Sequence, residues 1–483
     1  MAHLPKTELT ELPQFLNRAT QVALDYWNSL SVSPVAQLGL SQLPKTLPET
    51  LAAMGWGTAQ TLEKFQREIL PGLSASAGGR YWGFVTGGTT PAALVGDWLV
   101  TATDQNLMVP GDSIATALEL ATLDLLKQLF DLPVDQFAGS LTTGATAANL
   151  VNLATARQWG GHKLGQNIAR DGLTDLDQFA LFATTPHASQ LKAQGILGFG
   201  QRHWTKVRGL PDANGQEGEA MDIEDLELQL KASSAPIKIV ISSAGTVTTT
   251  AFDDFQAIAR LCQIHHAWHH LDGAFGLFAR CSSRYRHLTQ GAELADSITV
   301  DCHKWLNVPY DCGVALTRHR DLLEETFAVG AAYLNTEDTL PSLMNRGIEN
   351  SQRFRGLPIW FSLMAYGSEG VQAMVESCCG LARQLADWIA ISAHYHLLLP
   401  AHLNVVLFAG QFTGDQVTVN RLNQALLSRI NQTGKVFLSP GYYQGQFCFR
   451  AALSNWRTGE EDLAIAQTAL EAAYQGIISD NLL

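Results

Sequence analysis

The sequence predicts an α/β protein: a large domain built on a mostly parallel sheet, a smaller C-terminal α+β domain, and a helical arm ahead of both. Three observations carry this. Short apolar runs alternate with amphipathic helical stretches through the middle of the chain, as they do where strands and crossover helices build a sheet covered on both faces. After about Gly367 the pattern shifts to a long helix, two strand candidates and a last helix. Before Leu70 the periodicity is helical. A chain of 483 residues is too long for one small core and suits a large plus a smaller domain. The boundaries read as 1–85, 86–366 and 367–483.

From Pro13 to Leu30, in PQFLNRATQVALDYWNSL, apolar residues recur at helical spacing with a proline in the first turn. Such an arm often packs on a partner subunit. Pro71–Phe84, PGLSASAGGRYWGF, is rich in Gly, Ser and Ala and reads as a linker or loop. Gly111–Phe130 predicts a long amphipathic helix. Strands are expected in FALFATT (Phe179–Thr185), IKIVISSAG (Ile237–Gly245), AWHHLDGAFG (Ala267–Gly276) and SITVD (Ser297–Asp301), with a helix over Phe252–His265 between them. A helix over Val371–Ile391 precedes strand candidates LNVVLFAG and GQFCFRAAL, and a last helix starts near Gly459. There is no internal repeat.

With 46% hydrophobic and 16% charged residues, the composition is that of an ordinary soluble globular protein. A net charge of −13 argues against nucleic acid or an anionic membrane as partner. The start, MAHLPKTELTELPQFLNRAT, has no basic segment followed by an apolar one, so no signal peptide is expected. No uninterrupted apolar run of roughly 18 residues predicts a membrane span. The seven cysteines include no C-x-x-C spacing, which favours reduced thiols in a cytoplasmic protein.

In parallel α/β sheets ligands sit beyond the carboxyl ends of strands. His187, Thr246, Asp272 and Lys304 all fall at such ends. Leu141–Trp159, LTTGATAANLVNLATARQW, adds a helix start rich in small residues, where Thr143 and Thr146 and free N–H groups could hold a phosphate. A plain capped helix would look the same, and the segment matches neither GxxxxGK[ST] nor GxGxxG. Asp272 and Lys304 could be a buried ion pair. Alternatively both serve one cofactor: a lysine amine forms a Schiff base with an aldehyde, and an aspartate keeps a pyridine nitrogen protonated. His187 could stack on the ring. These separate jobs together describe a pyridoxal phosphate site. The run HHAWHH (His265–His270) has i, i+4 spacing, but it leads into a strand where neighbours alternate sides, so no metal is expected.

These blocks resemble the pyridoxal-phosphate-dependent group II amino acid decarboxylases, which have the type I, aspartate aminotransferase-like fold. ADSITVDCHKWLNVPYDCGVAL resembles the lysine signature, HHLDGAFG the aspartate motif, LTTGATAAN the phosphate loop, PHASQLKAQGILG the stacking-histidine segment, and GTVTTTAFDD the threonine-bearing strand end. RYWGFVTGG, RFRGLPIWFSLMAYG and FRAALSNWRTGEED are similar to further family blocks, so the likeness runs from about Arg80 to Asp462. The resemblance implies Lys304 as the Schiff-base lysine and Asp272 as the partner of the pyridinium nitrogen. It implies Ala274 and His187 on opposite faces of the ring, Thr246 near the cofactor, and Ala145, Thr146 and His303 at the phosphate. It also implies a homodimer with the site at the subunit interface, an amino acid as substrate, and loss of CO₂ from the bond held perpendicular to the ring.

One departure bears on the outcome. Family members of the aromatic type carry a tyrosine on a mobile loop between the lysine and RFR blocks, and it delivers the final proton. Asn335–Gln352, NTEDTLPSLMNRGIENSQ, contains neither Tyr nor His. Tyr333, just before it, is the candidate donor, and an aldehyde-forming oxidative reaction is the alternative where that tyrosine is missing. The expected activity is decarboxylation of an L-amino acid, aromatic or otherwise apolar, with Tyr81, Trp82 and Phe84 as candidate pocket walls. An acidic substrate would call on a cation such as Arg80. An aminotransferase or lyase on the same fold would hold the α-carboxylate with an arginine, for which Arg353, Arg355 and Arg450 are candidates. A non-catalytic scaffold would need neither Lys304 nor Asp272.

Overall fold

The computed structural model describes residues 5–36, 50–108, 110–173, 175–212, 214–329 and 340–480. In chain order the first strands are β1 (Tyr81–Trp82), β2 (Ala138–Thr142), β3 (Phe179–Ala183), β4 (Thr205–Lys206), β5 (Gly209–Pro211), β6 (Glu217–Met221) and β7 (Ile237–Ser243). They are followed by β8 (Trp268–Asp272), β9 (Ser297–Asp301), β10 (Gly313–Thr317), β11 (Tyr395–Leu397), β12 (Val405–Gly410), β13 (Phe437–Tyr443) and β14 (Gln446–Ala452).

Seven strands form one sheet in the order β2-β10-β9-β8-β7-β3-β4. The run from β9 to β4 is parallel throughout, whereas β10 runs against both β9 and β2. The sheet is therefore mostly parallel, as the alternation of apolar runs and helices predicts. Both faces are covered. On β7, Ile239 and Ile241 cluster with Leu153 and Ala156 of the helix Ala145–Lys163. Val240 between them clusters with Ile258 and Leu261 of the helix Phe255–Ile264. Successive strand residues point to opposite faces, so each strand must be apolar along its whole length to be buried twice.

The registers bring the strand ends to one edge. Ser243 lies opposite Asp272, Asp272 opposite Thr299, Asp301 opposite Gly313, and Gly313 opposite Thr142. At that edge β10 comes so close to the loop after β2 that a Cβ on Gly313 would stand 2.5 Å from the Gly144 Cα.

A second sheet, β1-β13-β14-β12-β11, is antiparallel apart from the parallel β1–β13 pair. The helices Gln416–Gln432 and Glu460–Ser479 pack on it, and Leu426, Ile430, Leu463 and Leu470 share its core. β1 falls inside the Gly- and Ser-rich stretch that reads as a loop. Its two aromatic residues outweigh that composition: Trp82 is 1% exposed in the core of the second sheet, and Tyr81 stacks on Phe437 at 4.8 Å.

One helix, Gly356–Ile391, begins well before the expected Val371 and kinks at Gly367, where φ is 61°. Its first half packs on the helix Pro91–Thr103 and the main core, so it is apolar on most faces and lacks a clean amphipathic stripe. The N-terminal helix Leu12–Ser29 buries Val22 and leaves Leu12, Leu16 and Leu24 exposed. Among the described residues no helix is long and apolar enough to cross a membrane.

Candidate active site

Lys304 owes its position to what surrounds it. β9 ends at Asp301, and Cys302–Trp305 makes a single helical turn. Trp305, fully buried in the main core, anchors that turn from below. A Cβ on Gly87 would lie 1.6 Å from the Lys304 carbonyl oxygen, so only glycine lets the RYWGFVTGG segment pack on the lysine backbone. The Lys304 Nζ stands 3.0 Å from Asp301 Oδ2. The buried ion pair that the sequence suggests for Lys304 thus exists with a different partner. Asp301, three residues earlier on the same turn, takes the place considered for Asp272.

Asp272 closes β8 and is 7% exposed. Its Oδ2 accepts from Gln190 Nε2 at 2.8 Å and from Asn149 Nδ2 at 3.4 Å, and its Oδ1 accepts from the Ala274 N–H at 3.1 Å. Asn149 Oδ1 accepts in turn from His270 Nε2 at 2.9 Å, which fixes the proton on that nitrogen. His270 Nδ1 then accepts from Ser297 Oγ at 2.9 Å, and Ser297 Oγ accepts from Trp268 Nε1 at 2.9 Å. Burial lowers the pKa of His270 to about 4, so the ring is neutral and the chain of donors runs in one direction, toward the carboxylate. His269 points to the other face, where Nε2 meets Ser242 Oγ at 2.7 Å. The strand alternation inferred for HHAWHH is what separates these two rings.

A cavity of about 510 Å³ opens over this edge, and His187, Thr246, Asp272, Ala274 and Lys304 all line it. His187 caps the helix Ala188–Ile196, its Nδ1 accepting from the Ser189 N–H at 3.2 Å and from Ser189 Oγ at 2.7 Å. Its ring has free surface toward the cavity, yet enough protein surrounds it for burial to lower its pKa. Thr246 donates its hydroxyl to Glu219 Oε2, which also accepts from the Thr249 hydroxyl at 2.7 Å. Glu219 sits on β6 and joins the lining; nothing in the irregular NGQEGEAMD stretch marks it beforehand. Phe84, Val85, Val247 and Phe275 supply the apolar wall. Phe84 and Val85 adopt φ values of 61° and 67°, a left-handed conformation that costs non-glycine residues about 1–3 kcal/mol each. The Phe84 N–H, bonded to Ser439 Oγ at 3.0 Å, helps hold it there.

Of the three arginines considered for a substrate carboxylate, only Arg450 lines the cavity. Its guanidinium has no hydrogen-bond or ion-pair partner among the described residues, and burial lowers its pKa. Arg353 pairs with Asp97 at 2.9 Å and Arg355 with Asp311 at 3.0 Å, both away from the cavity. Arg80 is bound by the Lys435 carbonyl at 2.9 Å and by Asp462 at 3.3 Å. It holds the second sheet together and cannot serve an acidic substrate. Tyr81 and Trp82 are likewise packed into that sheet, so of the three aromatic candidates only Phe84 reaches the cavity.

Ala145, Thr146 and His303 do not line the cavity directly; His303 and Gly144, the residue before Ala145, lie beside Asp301. Ala145 and Thr146 open the helix Ala145–Lys163, whose first-turn N–H groups have no partners within the helix. His303 Nδ1 accepts from the Cys312 N–H at 3.1 Å, so its Nε2 carries the proton, 3.6 Å from Asp301 Oδ2. Tyr310 stacks on its other side at 4.2 Å. Tyr333 lies outside the described residues.

The donor set fits a flat aromatic aldehyde bearing a phosphate. It offers an amine on Lys304, a buried carboxylate on Asp272 for a ring N–H, small and flat walls at Ala274 and His187, and a helix start for the phosphate. A family model described as the pyridoxal-dependent decarboxylase conserved domain matches residues 41–411. The chain is 27% identical to an aromatic-L-amino-acid decarboxylase of Bacillus atrophaeus, over 97% of this chain and 96% of that one. It is 25% identical to a phenylacetaldehyde synthase of Arabidopsis thaliana, over 93% of each. Among solved structures it is similar in fold to Oryza sativa TDC crystallised with PLP and tryptamine, with a TM-score of 0.89 at 22% identity, covering 99% of this chain and 100% of that one. The chain therefore belongs to the pyridoxal-dependent decarboxylase family and is a pyridoxal-phosphate-dependent amino acid carboxy-lyase of the type I fold.

Proposed function

We propose that the protein decarboxylates an aromatic or otherwise apolar L-amino acid to its amine. The observation that carries this is the apolar wall that Phe84, Val85, Val247 and Phe275 give the cavity. Arg450 would hold the substrate carboxylate and the apolar wall its side chain, which excludes water from the reacting bond. The similarity to an aromatic-L-amino-acid decarboxylase supports the same substrate class.

In this reading Lys304 binds the cofactor's aldehyde covalently, Asp272 keeps the ring nitrogen protonated, and Ala274 and His187 clasp the ring. Thr246 contacts the cofactor beside Asp272, while Ala145, Thr146 and His303 bind the phosphate. When bound, pyridoxal phosphate supplies the electron sink that accepts the electrons of the broken carbon–carboxylate bond. We further infer a homodimer with the site near the subunit boundary. Phe84 at the cavity mouth and Val95, Trp98 and Leu99 on one helix are exposed apolar residues that a partner subunit would cover. The seven free cysteines suit a reducing, cytoplasmic location.

A second reading keeps the same residues but yields an aldehyde. It is favoured by the absence of Tyr and His from Asn335–Gln352 and by the similarity to a phenylacetaldehyde synthase. The deciding experiment is CO₂ release across a panel of amino acids, with amine and aldehyde products separated. Amine formation from an aromatic or apolar substrate is expected. Aldehyde with consumption of O₂ would select the second reading, and amino-group transfer to a keto acid without CO₂ would refute both. Sedimentation of the loaded protein tests the dimer.

A further inference from the structure

We propose that Asp301 accepts the proton of Lys304 during cofactor capture, and that until it does so its charge opposes the incoming phosphate. The proposal rests on Lys304 being the amine that binds the aldehyde. The Asp301 carboxylate is 2% exposed. Its Oδ2 lies 3.0 Å from Lys304 Nζ and 3.6 Å from His303 Nε2. Its Oδ1 has no hydrogen-bond partner among the described residues. A Cβ on Gly144 would stand 3.6 Å from that orphaned oxygen, so Oδ1 faces the start of the 19-residue helix Ala145–Lys163.

Among the described residues the other titratable and charged groups around this carboxylate are His303 on its own turn, Asp311 beyond His303, and His187, Asp272 and Arg450 across the cavity. Burial favours the neutral form of both histidines. Lys304, in direct contact at 3.0 Å, is therefore the cation paired with Asp301. The carboxylate holds the ammonium at the cavity edge, and it also occupies the neighbourhood where a helix start would attract a phosphate.

An ammonium has no lone pair, so Lys304 must lose a proton before it can attack. One proton passes from Nζ to Oδ2, 3.0 Å away. The freed lone pair forms the bond to the aldehyde carbon. The two remaining N–H hydrogens leave with the carbonyl oxygen as water, and a carbon–nitrogen double bond is left. The ion pair has become two neutral groups, and a carboxylic acid beside the helix start no longer repels the phosphate.

The test uses full-length protein freed of cofactor, comparing wild type with Asp301→Asn. Binding of 4-deoxypyridoxine phosphate, which has an uncharged methyl group in place of the aldehyde, keeps the ring contacts constant and reports how the charge at position 301 acts on the phosphate. The absorbance change on mixing with pyridoxal phosphate reports covalent capture. The two readouts are expected to move in opposite directions: severalfold tighter 4-deoxypyridoxine phosphate binding and at least about tenfold slower capture. A merely structural role for Asp301 weakens both, and an irrelevant one leaves both unchanged; either result overturns the proposal. Asp301→Ser, a second neutral side chain, must show the same opposed pair. If capture persists in Lys304→Ala, the assignment of Lys304 fails instead.

Discussion

Asn149 stands between His270 and Asp272, accepting from the ring at 2.9 Å and donating to the carboxylate at 3.4 Å. Replacing it by Leu leaves His270 Nε2 without an acceptor and removes one of the donors to Asp272. A buried polar group left unsatisfied costs about 1–3 kcal/mol, and supporting hydrogen bonds of this kind are typically worth about 10- to 100-fold in activity. Urea denaturation and kcat of Asn149→Leu check both expectations. Unchanged activity would show that Gln190 and the Ala274 N–H are enough to orient the carboxylate.

Lys304→Ala is expected to lose covalent retention of the cofactor altogether. Reduction of the loaded protein with borohydride, followed by mass measurement, should show a cofactor adduct on wild type and none on the variant. Turnover should drop about 10³-fold or more, since a nucleophile and its positioning are removed together.

Arg450→Gln separates binding from stability. A charge-assisted hydrogen bond to a substrate carboxylate is worth about 1.5–3 kcal/mol, so kcat/KM should fall about 10- to 100-fold. Folding should be unchanged or improved, because a half-buried cation with no hydrogen bond or ion pair among the described residues is removed. A matching loss of stability would mean that the guanidinium supports the fold rather than the substrate.

His269 and His270 make the fold sensitive to acid. Both have a pKa lowered to about 4 by burial, against 6.5 when exposed. The unfolded chain binds these protons more readily, so their contribution is fully present above pH 6.5 and is lost as pH falls from there toward 4. At pH 5 each ring should cost about 2 kcal/mol relative to neutral pH. Unfolding midpoints at pH 7 and pH 5 read this directly, and Ser242→Ala or Ser297→Ala should not remove it, since burial is the first cause.

Gly87→Ala pushes a methyl group into the Lys304 carbonyl, where a Cβ would sit 1.6 Å away. Overpacking of this kind costs about 1–3 kcal/mol. Because the displaced backbone carries the lysine, cofactor affinity should fall along with the melting temperature. Gly459→Ala, with nothing within 4 Å of its added Cβ, is the control.

How far the site was legible depended on whether a residue announced itself locally. Asp272, Thr246, His187 and Lys304 follow apolar runs, and strand ends are where α/β sheets gather ligands, so position along the chain was enough. Asp301, three residues before Lys304, takes the ion pair expected of Asp272 because the strand it closes runs directly into the helical turn that carries the lysine, a fold-back that no local pattern marks. Glu219 sits in a short hairpin with no periodic pattern. Arg450 could not be told from Arg353 and Arg355, since what distinguishes them is which face of β14 or which helix start meets the cavity. Tyr81 and Trp82 read as pocket walls because aromatic residues suit pockets and cores equally; the pairing of β1 with β13, more than 350 residues later, decided between the two.

That same pairing has a consequence for the order in which the protein is made. The segment carrying Phe84 and Val85 leaves the ribosome early, but the residues that fasten it, Phe437 to Ser439, are almost the last to appear. Until they do, one wall of the cavity has nothing to lean on, and two adjacent residues have no reason to stay in a left-handed backbone. A nascent chain halted before β13 would hold its lysine and its buried aspartate with the cavity unfinished.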